Sequence, residues 1–123
     1  MSKPLALVYY SNLLPGSQLI NRLQDLGYRV QSLEAVALMP AACEREKPLV
    51  VLAELVPVDL ACAAIEQLKK NPATQHLPVL AFSPVHDPAT QESAINAGVT
   101  LLAGNAAITE QLPKLLDQVL QIE

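Results

Sequence analysis

The residues best placed for chemistry are polar ones that follow strand-like runs. Leu5 to Tyr10 (LALVYY) reads as a buried strand, and Ser11-Asn12 follows it directly. This is a place where small α/β proteins often carry an acidic metal-binding pair. A hydroxyl and an amide give hydrogen-bond donors and acceptors there, but no charge. Glu54 ends the run LVVLAE, Ser83 ends PVLAFS, and Asn105 follows Gly104. Asn105 with Ser83 and Ser11 is expected to form a hydrogen-bonded cluster, or a small polar pocket for water or an anion. Asn12 is expected to cap or brace the turn after it. Glu54 is expected as a partly solvated carboxylate at a strand end. Of Tyr9 and Tyr10, one is expected in the core and the other over the sheet, each with a satisfied hydroxyl; stacking on a planar ligand is the alternative.

Other reactive residues are sparse. Cys43 and Cys62 lie in apolar-rich helical segments and form no CxxC unit, so they read as reduced, buried thiols. His76 and His86 fall in loops, and no zinc-type spacing links them to the cysteines. No nucleophile-base pair or phosphate-cradling glycine loop is present; Gly16 is the only glycine near the first turn, and the chain has four in all.

The elements that position these residues alternate. After the first strand, Ser17 to Leu26 carries a helical stripe of Leu19, Ile20, Leu23 and Leu26 that Gly27 ends. Arg29 to Glu34 reads as a short edge strand and Ala35 to Glu46 as a helix that starts or kinks at Pro40. Leu49 to Leu55 is a continuous apolar strand, as expected when helices cover both faces of a sheet. Asp59 to Lys70 is a helix, and Pro78 to Ser83 a strand. Asp87-Pro88 opens a fourth helix, to Ala97, whose thin stripe of Ala94 and Ile95 makes it the least firmly anchored. Thr100 to Ala103 is the fifth strand, and Thr109 to Ile122 a last helix with Leu112, Leu115, Leu116, Val119 and Ile122 inward. Leu120 is left over for a partner or a second copy of the chain.

Five strand-helix units predict a doubly wound parallel sheet, with function at the carboxyl ends of the strands. The 123 residues are enough for one core, and 51% apolar composition argues for a packed globule. Eight basic residues scattered among twelve acidic ones, net charge -4, exclude an electrostatic nucleic-acid surface. No apolar run approaches the roughly 20 residues that span a bilayer. Met1-Ser-Lys-Pro leads straight into a strand, so no signal peptide is expected, and the chain reads as cytoplasmic.

Across almost all its length the sequence resembles the receiver domain of two-component response regulators. Pro15 after Asn12, Gly27-Tyr28, Lys47-Pro48, Pro57, Leu77-Pro78-Val79-Leu80 ending in Ser83, and Ala97-Gly98-Val99 fall at receiver-like spacings. The resemblance implies a flavodoxin-like (βα)5 fold, strand order 2-1-3-4-5, in a single domain over residues 1–123 with no output domain attached. It also implies which positions differ. Receivers bind magnesium through two acidic residues after the first strand and an aspartate ending the third. Ser11 and Asn12 replace the acidic pair. The acceptor aspartate aligns with Glu54 when counted from Gly27 and Pro48, and with Ala53 when counted back from Pro57 or Pro78. Alanine has no nucleophile. Glutamate's extra methylene displaces the attacking oxygen by about an ångström, a misplacement that costs ~100-fold. Asn105 stands where receivers carry a lysine, and Leu102 where they carry the switch aromatic. Only Ser83 matches.

The implied protein is a stand-alone pseudo-receiver, with magnesium binding lost or weak and no other cofactor. It would not be an enzyme and would act in signal transduction by binding protein, a histidine kinase or a downstream signalling protein. Pairing of two copies through the fourth helix, fifth strand and fifth helix is a further implication. Neither nucleic acid nor membrane is an expected partner. Glu54 as a built-in substitute for the phosphorylated state is one variant. The alternatives are a responsive receiver switched by phosphate or a small ligand at the strand ends, and a small flavodoxin-like enzyme.

Overall fold

The computed structural model describes residues 3–84 and 87–121. Five strands form one parallel sheet: β1 (Leu5–Tyr9), β2 (Arg29–Leu33), β3 (Val50–Glu54), β4 (Val79–Ser83) and β5 (Leu101–Gly104), in the order β2-β1-β3-β4-β5. The sheet is parallel and doubly wound, as the alternation of strands and helices predicts, and its order is the flavodoxin-like one that the resemblance implies. β1, β3 and β4 are buried along their whole length, because helices cover both faces.

Side-chain alternation divides the core in two. Leu7, Tyr9, Val51, Ala53, Val79 and Ala81 face α2 (Met39–Glu46), α3 (Val58–Lys70) and α4 (Pro88–Ala97). Ala6, Val8, Val50, Leu52, Leu80 and Phe82 face α1 (Leu13–Asp25), α5 (Asn105–Glu110) and α6 (Leu112–Gln121). Glu54 therefore leaves β3 on the α1 side and Ala53 on the α3 side.

Several element boundaries differ from the sequence reading, for local reasons. α1 starts at Leu13, four residues before Ser17. Pro15 fits there because the first helical turn has no intrahelical use for its N–H groups, and the Gly16 N–H makes the first helical bond, to the Asn12 carbonyl. Gly16 is also required for space: a Cβ would run into the Tyr10 ring. The second helix region begins as a 3-10 turn, Val36–Leu38, and becomes α-helical at Met39 with Pro40 in its first turn. The last helix is two. Pro113 cannot donate to the Thr109 carbonyl, and the chain breaks at Gln111 between α5 and α6.

α4 buries Thr90, Ala94 and Ala97, spaced as one helical face, while Ile95 lies a quarter-turn away and is 68% exposed. Ile95 thus corrects the expected stripe. Leu120, expected to be surplus, is half-buried against the α1-side core. Cys43 and Cys62 are free, buried thiols. Burial alone pushes Cys43 up to about 12; Cys62 is raised by burial and by Glu66 and Asp59. His76 lies in the turn after α3; His86 and Ile122 fall outside the described residues. No helix among the described residues is long and apolar enough to cross a membrane.

Candidate functional site

The carboxyl ends of β1, β3 and β5 converge on the Glu54 side chain. β1 and β3 are in register with Tyr9 opposite Ala53, so Glu54 lies level with the start of the β1–α1 loop. Its side chain is completely buried, not partly solvated as expected. Oε1 accepts the main-chain N–H of Ser11 at 2.7 Å and of Asn12 at 3.0 Å. Oε2 accepts the Asn12 side-chain amide at 2.7 Å and the Asn105 amide at 3.3 Å. The Asn12 side chain makes no helix cap; it reaches for Glu54 instead, while its carbonyl accepts the Gly16 N–H.

All four partners are donors, so the position suits an acceptor-only group, a carboxylate. Donation from four N–H groups is what allows an anion to sit without solvent. Ser11 takes part through its backbone. Asn105, the first residue of α5, keeps one atom over: its Oδ1 is buried without a hydrogen-bond partner among the described residues.

The two alignments of the third-strand end now separate by geometry. Ala53 is fully buried in the apolar core between Tyr9 and Ala81. Glu54 alone of the two reaches the strand-end loops. Leu102 lies on the opposite face of β5 from Ala103 and packs, half-buried, on the α3-side core. Ser83, the last residue of β4, is buried and lines a cavity of about 310 Å³ with Pro57, Asp87 and Thr90. The structure thus gathers Ser11, Asn12, Glu54 and Asn105 into one hydrogen-bonded cluster, and places Ser83 at the neighbouring β3–α3 and β4–α4 loops.

A fifth residue supports the arrangement. The Tyr9 hydroxyl donates to the Val56 carbonyl at 2.9 Å and so ties the end of β1 to the loop after Glu54. The sequence signal for it was a satisfied tyrosine hydroxyl; its partner, 47 residues away, carries no local signal.

A divalent cation fits these residues poorly. Magnesium requires an octahedral set of oxygen ligands, commonly with one or two free carboxylates. Here the one carboxylate already accepts four N–H donors, whose positive ends occupy its lone-pair directions. Asn105 Oδ1 is a single neutral oxygen. Among the described residues no group of three acidic, histidine or cysteine side chains could hold a metal.

No family model matches the chain, and no curated protein matches it in sequence. Solved structures do match. The receiver domain of a sensor histidine kinase from Pseudomonas aeruginosa PAO1 superimposes with a TM-score of 0.86 at 18% identity, over 97% of this chain and 98% of that one. The fold is that of receiver domains. That structure holds a magnesium ion coordinated in its active site cleft. The chemotaxis protein CheY4 of Vibrio cholerae gives 0.84 at 18% identity, over 96% of this chain and 99% of that one. A histidine kinase receiver domain from Clostridium thermocellum gives 0.78 at 15% identity, over 99% of this chain and all of its own 100%. The receiver fold is therefore kept at identities low enough that site residues have to be judged one by one.

Proposed function

We propose that the chain is a pseudo-receiver: a signalling module of receiver fold that works by protein–protein binding, without aspartyl phosphorylation and without magnesium. The observation that carries this is the state of Glu54. A phospho-acceptor has to present a free oxygen to an incoming phosphoryl group, next to positive charge that stabilises the transfer. Glu54 is buried, and both of its oxygens are held by donors from Ser11, Asn12 and Asn105. The acidic pair is replaced by a hydroxyl and an amide, and the lysine position by Asn105. Asn12 and Asn105 add their side-chain amides to the main-chain N–H groups of Ser11 and Asn12, so that Glu54 is satisfied from inside the protein.

The receiver likeness supports a signalling partner, a histidine kinase or a downstream protein, and a non-enzymatic role in the cytoplasm. The test is exposure of the protein to acetyl phosphate with magnesium, followed by intact-mass measurement at neutral pH. The unmodified mass is expected throughout. A stoichiometric phosphoryl adduct that Glu54→Gln abolishes would overturn the proposal.

A further inference from the structure

An apolar groove runs along the α3 side of the molecule, on the face of the sheet opposite the Glu54 side chain. Its volume is about 370 Å³. Tyr9, Val36 and Ala64 form its buried floor; Leu60, Ala63 and Gln67 of α3 form one wall, and the 3-10 turn with Pro40 forms the other. Leu60 is 58% exposed at the lip, and Leu38, in the same 3-10 turn, is 51% exposed. These are two of five large apolar side chains exposed among the described residues. The face expected to pair, α4 and β5, exposes only Ile95 among them.

The groove is open rather than enclosed. Small ligands bind where most of their surface is buried, about 70–90%, and most of this lining is solvent-exposed. The α3 wall presents Leu60, Ala63, Ala64 and Gln67 at i, i+3, i+4 and i+7, one face over two turns. The two alanines let another helix approach closely. Charge then selects the occupant. Glu34 is the one charged residue in the lining, and no lysine or arginine contributes to it. Asp59 and Glu66, exposed and one turn-pair apart, border the same face of α3. A second copy docked groove to groove would bring the same acidic residues against these, so that self-pairing is disfavoured.

We infer that the groove between the Val36–Leu38 turn and α3 is the docking site for a basic amphipathic helix of a partner protein. Its apolar row seats on Leu60 and Ala63, and a lysine or arginine meets Glu34. The floor residue Tyr9 also holds Val56, so an occupied groove bears directly on the loop that follows Glu54.

The inference rests on the adaptor reading above, yet the two fail separately: a phosphoryl adduct ends that reading and leaves the groove's peptide affinity as measured. The probe is an acetylated, amidated peptide of about fifteen residues, long enough to be helical when bound, with Leu at i, i+3, i+4 and i+7 and Lys elsewhere. Titrated into ¹⁵N-labelled protein, it is expected to shift the amides of Tyr9, Ala35, Ala37, Leu60 and Ala63 saturably. Ala63→Arg and Glu34→Lys, both at exposed positions, are each expected to weaken binding at least tenfold, with unchanged melting curves. Ile95→Arg is expected to leave it unchanged. No binding, shifts spread over the whole acidic surface, equal binding of the Glu-for-Lys peptide, or a dimer in sedimentation that Ala63→Arg dissolves would each overturn the inference.

Discussion

Glu54 makes four hydrogen bonds across sequence separations of 42 to 51 residues, and its removal should show what they contribute. Glu54→Ala strips the acceptor from four donors at once. A loss of about 1–3 kcal/mol is expected in urea unfolding, the range for leaving buried groups unpaired. Glu54→Gln should cost less than Glu54→Ala. Its oxygen can face the Ser11 and Asn12 backbone, while the Asn12 and Asn105 amides turn over to receive its N–H groups. That turn gives Asn105 Oδ1 the partner it lacks. Equal losses for the two variants would show that the amides are fixed.

At the scale of the element, α4 depends on its ends more than on its buried face, which offers only Thr90, Ala94 and Ala97. Asp87 caps it, accepting the Thr90 N–H at 2.7 Å. The hydrogen bond to Thr90 holds the Asp87 carboxyl below the usual aspartate range. A group lowered by folding stabilises at pH above its unfolded value, and that contribution is lost as pH falls through the folded value. Hydrogen-exchange protection in the first turn of α4 should therefore fall away below the ordinary aspartate range in the wild type. In Asp87→Ala it should be low at every pH. At the other end, Gly98 sits at φ +102°, and a Cβ would stand 2.7 Å from Lys69 Cγ. Gly98→Ala should cost about 1–2 kcal/mol from left-handed backbone strain alone, measured by thermal unfolding. Both ends of α4 were legible in the sequence as Asp87-Pro88 and Gly98. The split of the last helix was not, because Ile108 before Gln111 and Leu112, Leu115, Leu116 and Val119 after it keep one helical spacing. The Pro113 ring decides the break and carries no apolar signal.

For the molecule as a whole, the two-sided core was legible, because β1, β3 and β4 are continuous apolar runs that a doubly covered sheet accommodates, whereas the strand order came from the receiver resemblance. The candidate site was legible by position and not by geometry. The short loop between Glu54 and Pro57 left Ala53 and Glu54 interchangeable on paper; only the register with β1 separates them. Nothing local announces that a strand-end glutamate turns inward to accept two backbone N–H groups. The integrity of the whole can be read from Cys43, buried on the inner face of α2 and pushed by burial up to about 12. Alkylation by iodoacetamide at mildly alkaline pH should be negligible in the native protein and should appear with global unfolding in urea. Rapid labelling without denaturant would show that the α3-side core opens on its own.

The central claim is that Glu54 is satisfied from within and takes neither magnesium nor a phosphoryl group. It is tested most directly by titrating ¹⁵N-labelled protein with magnesium and beryllofluoride, a phosphoryl mimic, and following the amides of Ser11, Asn12, Glu54 and Asn105. None of them is expected to shift saturably. Saturable shifts centred on those four residues, and absent in Glu54→Gln, would contradict it.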